Sequence, residues 1–133
     1  METGERRFQV RLASERVGLS GEVDLLIVTN TEAVPVEFKH TEGPVAKNHR
    51  LQLGAYALLV EDALGLPVQR GFVCQLPAGR LWQVQCGTAE RLQVAQLVRQ
   101  VRHMLAGEAR PAPTPVRARC RDCEFRRYCS DLE

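Results

Sequence analysis

Lysine is almost absent from this chain of 133 residues: of 18 basic residues only Lys39 and Lys47 are lysines, and the rest are arginine. An arginine-preferring sequence that keeps lysine at position 39 points to a use for a compact, titratable ammonium there. No apolar run is long enough to cross a bilayer. Met1 to Leu12 is charged and lacks the apolar core of a secretory signal, so a soluble, cytoplasmic protein is expected. The net charge is only +2, too little to argue a nucleic-acid partner from the total. Five cysteines in such a chain do not read as a disulfide framework, and there is no internal repeat. What is present suits a globular protein with one real core: 44% hydrophobic and 26% charged residues.

The informative stretch is Gly21 to Tyr56, GEVDLLIVTNTEAVPVEFKHTEGPVAKNHRLQLGAY. Asp24 interrupts Val23, Leu25, Leu26, Ile27 and Val28, a run apolar enough for a buried strand. In VPVEFK, Val34, Val36 and Phe38 alternate with Pro35, Glu37 and Lys39, so Glu37 and Lys39 share one strand face. Gln52 and Tyr56 are four apart in a helical pattern and share a helical face. A buried carboxylate costs several kcal/mol unless it is paired or bound to metal. A divalent cation held by Asp24 and Glu37, with Lys39 beside it, would remove that cost and would equip the site to hydrolyse a phosphodiester. Taken singly, each feature has a plainer reading: E-x-K as a surface ion pair, Gln52 as solvated, Tyr56 as core with its hydroxyl at the rim.

In chain order, Arg6–Leu12 alternates and predicts a strand with Phe8, Val10 and Leu12 on one face. Glu15–Ser20 reads as a return or short strand, Gly21–Thr29 as the strand carrying Asp24, and Val34–Lys39 as its neighbour. Thr41–Val45 is a loop. A helix is expected from Ala46 to Leu64, with Leu51, Ala55, Leu58 and Leu59 inward, Glu61 and Asp62 outward, and Gly65 as its cap. Arg70–Leu76 and Arg80–Gln85 form a strand pair around Pro77–Gly79. A second helix covers about Ala89–Leu105 from Thr88, with Val94, Val98, Val101 and Leu105 on its packed face and His103 on the surface. The order suits an α/β fold, a mixed sheet with flanking helices. Residues 1–109 are expected to form the core domain and 110–133 a proline linker and cysteine tail.

Cys120-x2-Cys123-x5-Cys129 lies in RARCRDCEFRRYCSDLE, a stretch too poor in apolar residues to hold itself together. Zinc or an iron–sulfur centre on these thiolates would supply the cross-link. Cys74 reads as a core residue. Six arginines between Arg110 and Cys129, against Asp122 and Glu124, could follow a phosphate backbone or make a solvated basic tail.

Jointly, D-x12-E-x-K, Q-x3-Y and the cysteine group resemble the CRISPR-associated exonuclease family, a RecB-like branch of the PD-(D/E)XK nuclease superfamily, over roughly residues 16–129. The resemblance implies that family's restriction-endonuclease-like α/β core. It implies a DNA exonuclease acting on single-stranded ends, trimmed for CRISPR spacer acquisition. Asp24, Glu37 and the Phe38 carbonyl would bind Mg²⁺ or Mn²⁺. Lys39 would serve the attacking water and the phosphate, and Gln52 and Tyr56 would position Lys39 or the strand. It further implies a four-iron, four-sulfur cluster on Cys120, Cys123 and Cys129, with DNA and adaptation integrase proteins as partners. The family's N-terminal segment, with the fourth cluster cysteine and an active-site histidine, has no counterpart here. The alternative expectation is therefore a catalytically impaired, truncated homologue that binds DNA or an integrase.

Overall fold

The computed structural model describes residues 3–129. Five strands, β1 (Glu5–Ser14), β2 (Leu19–Val28), β3 (Ala33–Lys39), β4 (Arg70–Gln75) and β5 (Arg80–Gln85), form one sheet in the order β1-β2-β3-β4-β5. Two helices accompany them, α1 (Lys47–Leu64) and α2 (Thr88–Ala106). The order of elements is the one expected: three strands, helix, two strands, helix. Three of the four strand pairs are antiparallel and need only tight turns. β3 and β4 are parallel, so the chain must cross over between them, and α1 is that crossover.

The core lies between the sheet and α1. Val23, Leu26, Leu53, Ala57, Val60, Val73 and Val84 are almost completely buried there. Gly71 allows the close approach: a Cβ at that position would sit 3.0 Å from both Leu53 Cδ2 and the Pro35 carbonyl oxygen. Gly65 closes α1 in the left-handed conformation, φ 67°, donating its N–H to the Glu61 carbonyl, as its position predicts.

Four details depart from the sequence reading. In β1, Gln9 has φ 50°. This kink flips the alternation, so Val10 and Leu12 pack on the core while Phe8 is 62% exposed. In α1 the buried side chains are Leu53, Tyr56, Ala57, Leu59 and Val60. LQLGAYALLV is apolar nearly all round, so the sheet rather than the pattern selects the inward face. Leu51, Ala55 and Leu58 are only partly buried. Glu61 is not a solvent-facing residue: it accepts the Val68 N–H at 2.9 Å and pairs with Arg91 at 2.5 Å. In α2 only Val94 is buried, while Val101 and Leu105 are 48% and 74% exposed.

The chain divides into two compact units, one up to Arg99 and one from Gln100. After α2, the second unit has no regular structure until two short 3-10 turns, Arg117–Cys120 and Arg126–Tyr128. Within it, the Cys123 N–H reaches the Cys120 carbonyl at 3.4 Å and the Arg126 N–H the Cys123 carbonyl at 3.2 Å.

Candidate active site

The ladder between β2 and β3 runs from Val28↔Ala33 to Leu25↔Val36 and stops. β3 continues alone on that side, while its other edge stays paired to β4 as far as Lys39↔Gln75. A buried backbone N–H without a partner is expensive. Asp24 supplies one: its Oδ2 accepts the Phe38 N–H at 2.9 Å. On the far side of β2 the register passes from Phe8↔Leu25 to Val10↔Val23, leaving the kinked Gln9 at the height of Asp24. The sheet therefore parts locally at the position of the acid.

Glu37 is 7% exposed. Its Oε1 accepts from Lys39 Nζ at 3.1 Å and from Gln52 Nε2 at 3.0 Å. Its Oε2 is buried with no hydrogen-bond partner. Burial pushes the Glu37 carboxyl above its ordinary value; the Lys39 ammonium pulls it down, and the nearby Asp24 charge raises it further. Gln52 Nε2 also reaches the Tyr56 hydroxyl oxygen at 3.0 Å, and that hydroxyl donates to the Glu22 carbonyl at 2.8 Å. Burial, reinforced by the charges of Glu37 and Asp24, pushes Tyr56 up to about 12. The direction keeps the proton on the Tyr56 hydroxyl, which donates it to the Glu22 carbonyl.

All five residues singled out by pattern, Asp24, Glu37, Lys39, Gln52 and Tyr56, meet at this one place. The Phe38 main chain is there too, engaged through its N–H. The Glu22 carbonyl that anchors Tyr56 was not foreseen, since a backbone acceptor leaves no residue-type signal. Nor was Gln9, because nothing in its neighbours announces a positive φ.

A family model of the PD-(D/E)XK nuclease superfamily matches residues 1–130. The chain belongs to that superfamily. Among curated relatives, a CRISPR-associated exonuclease Cas4 of Francisella tularensis subsp. novicida is 25% identical over 98% of this chain and 66% of its own length. A CRISPR-associated exonuclease Cas4/endonuclease Cas1 fusion of Myxococcus xanthus is 32% identical over 96% of this chain and 24% of that protein. The chain thus spans two thirds or less of these relatives. Among solved structures, the one titled "Crystal structure of SSO0001" matches with a TM-score of 0.60 at 19% identity, over 95% of this chain and 60% of that one. This likeness bears on the fold alone. The expected mixed sheet with its superfamily core is borne out.

The residues of this nuclease-superfamily site fit a hard divalent cation. Two acids converge, and the buried Oε2 of Glu37 lacks the partner that a cation would provide. The tail is different. Cys120, Cys123 and Cys129 line one cavity of about 410 Å³ within the second unit. Among the described residues, no group of three or more His, Cys, Asp or Glu is gathered to hold a metal. The donors are soft enough for zinc or an iron–sulfur cluster, but the four-ligand site that either takes is not closed by them.

Proposed function

We propose that the chain is a cation-dependent DNA exonuclease that trims single-stranded ends in the cytoplasm, in the service of CRISPR spacer acquisition. The observation that carries this reading is the buried, partnerless Oε2 of Glu37, set beside Asp24 and flanked by Lys39. Asp24, Glu37 and the Phe38 carbonyl would hold Mg²⁺ or Mn²⁺. When bound, the cation supplies Lewis-acid stabilisation of charge on the phosphoryl oxygens.

The remaining work belongs to side chains of this chain. Lys39 is steered by its ion pair with Glu37 and is partly shielded from water. From there its ammonium orients the attacking water and offsets charge growing on the phosphate, and the same group as a neutral amine, its own proton first released to solvent, takes the proton of that water. Gln52 bridges Glu37 and Tyr56. It fixes the carboxylate and, through Tyr56 and the Glu22 carbonyl, ties α1 to the strand bearing Asp24. Such preorganisation matters because misplacement by about 1 Å costs on the order of a hundredfold in rate.

The fusion of exonuclease Cas4 with endonuclease Cas1 in the Myxococcus relative supports an adaptation integrase as partner. The three tail cysteines would take part in a zinc or iron–sulfur centre whose fourth ligand comes from elsewhere, and no catalytic step is assigned to it. A gel assay with end-labelled single-stranded DNA tests the main reading. Stepwise shortening that needs Mn²⁺ or Mg²⁺ and vanishes in Lys39→Ala is expected. A shifted but uncut strand would replace the enzyme by a DNA-binding module.

A further inference from the structure

The active-site face continues across the sheet beyond Lys39. Register sets Lys39 opposite Gln75, and Gln75 opposite Arg80; one row nearer the core, Glu37, Val73 and Trp82 are aligned likewise. Residues directly opposite each other share a face. The acid and amine of the site therefore pass without interruption into Gln75, Arg80 and Trp82.

Gln75 is a buried polar side chain, 5% exposed. Its Nε2 donates to the Gly43 carbonyl at 2.7 Å, and its Oε1 accepts the Trp82 Nε1–H at 2.8 Å. One amide thus ties the loop after β3 to β5. Between that loop and the β4–β5 turn lies a cavity of about 330 Å³, lined by Thr41, Glu42, Gln75 and Arg80 among others. Its size suits a small organic group. The Arg80 guanidinium lies 4.2 Å from the centroid of the Trp82 ring and has no carboxylate partner among the described residues.

We propose that this cavity is the subsite for the nucleotide next to the scissile phosphate, with the base inside and its phosphate on Arg80. The inference rests on the DNA-cutting reading of the site. Glu42 on the wall repels a phosphate from the interior, whereas the amino groups of adenine, cytosine and guanine find acceptors there. Arg80, exposed at the rim with its guanidinium over the Trp82 ring, offers hydrogen-bond donors to a phosphate.

Trp82 is the single tryptophan of the chain and touches two residues of the cavity wall, Gln75 through its Nε1–H and Arg80 through its ring, so its emission reports occupancy without any turnover. Fluorescein-labelled oligodeoxycytidylate of about ten nucleotides, within the range of single-strand sites, is titrated into the Lys39→Ala chain. Trp82 emission and label anisotropy should change together. Arg80→Ala should weaken binding several-fold and flatten the slope of log K against log salt by about 0.7, the share of one phosphate contact on a single strand. Arg80→Lys should restore the slope. If the strand binds while Trp82 emission stays constant and Arg80→Ala matches its parent, the subsite is wrong and the nuclease reading survives. If no chain binds or cuts the strand, both fall.

Discussion

Glu37→Gln is expected to stabilise the cation-free chain and to abolish its response to the cation. The buried Oε2 has no partner, and an unsatisfied buried polar group costs about 1–3 kcal/mol, more when charged. Glutamine keeps the shape and leaves a neutral amide nitrogen in that position, so what it relieves is the charged excess of the cost. It also weakens the pairing of Oε1 with Lys39 and Gln52, a loss of about 1 kcal/mol for a half-shielded pair. The net gain is about 1 kcal/mol, or about 4 °C in Tm for a chain of this size. The sign follows from the raised Glu37 pKa. A carboxyl raised on folding favours the folded state at pH below its unfolded value, and that contribution is lost as pH climbs through the raised value. The advantage of Glu37→Gln should therefore be full near neutrality and close as pH falls toward the ordinary glutamate value of 4.5. Mn²⁺ at a hundredfold excess over its Kd should stabilise the parent by about 2.7 kcal/mol and leave the variant unmoved. Scanning calorimetry in EDTA and in Mn²⁺, between pH 5 and 8, reads both effects. A variant less stable than its parent in EDTA, or equal Mn²⁺ shifts in the two chains, would refute the reasoning.

Lys39→Ala should cut at about 10²–10⁴-fold lower rate and melt a few degrees lower, since Glu37 loses its ion pair, checked by single-turnover kinetics beside a melt. Asp24→Asn should still accept the Phe38 N–H but bind Mn²⁺ at least tenfold more weakly by titration calorimetry; equal affinity would remove Asp24 from the ligand set. Tyr56→Phe orphans the Glu22 carbonyl and one Gln52 bond, so a loss of about 1–2 kcal/mol is expected in urea unfolding. Leu53→Ala empties the space against Gly71 and should cost about 2–5 kcal/mol in the same assay.

Much of this was legible because the relevant signals are local. Glu37 and Lys39 share a face through simple alternation, Gln52 and Tyr56 through helical spacing, and Gly65 marks the end of α1 by its need for a left-handed backbone. What escaped depends on contacts distant in sequence. The inward face of α1 was decided by the sheet it packs on, chiefly β1, β2 and β3, not by its nearly uniform apolar content. Glu61 turned inward because Arg91 and the Val68 N–H, both outside its own helix, wait for it. Gln9 gives no warning of its kink. At the site, pattern named the side chains but not the parting of β2 from β3, which is a property of two ladders at once.

That parting has a bearing on ion choice. The Phe38 amide already occupies one oxygen of Asp24, and lysine and glutamine occupy one of Glu37. Neither acid is disposed to chelate with both oxygens at once. Calcium, which gathers six to eight oxygens and welcomes two-pronged carboxylates, is poorly provisioned by such a pair, whereas a small octahedral ion content to keep most of its hydration shell asks for no more.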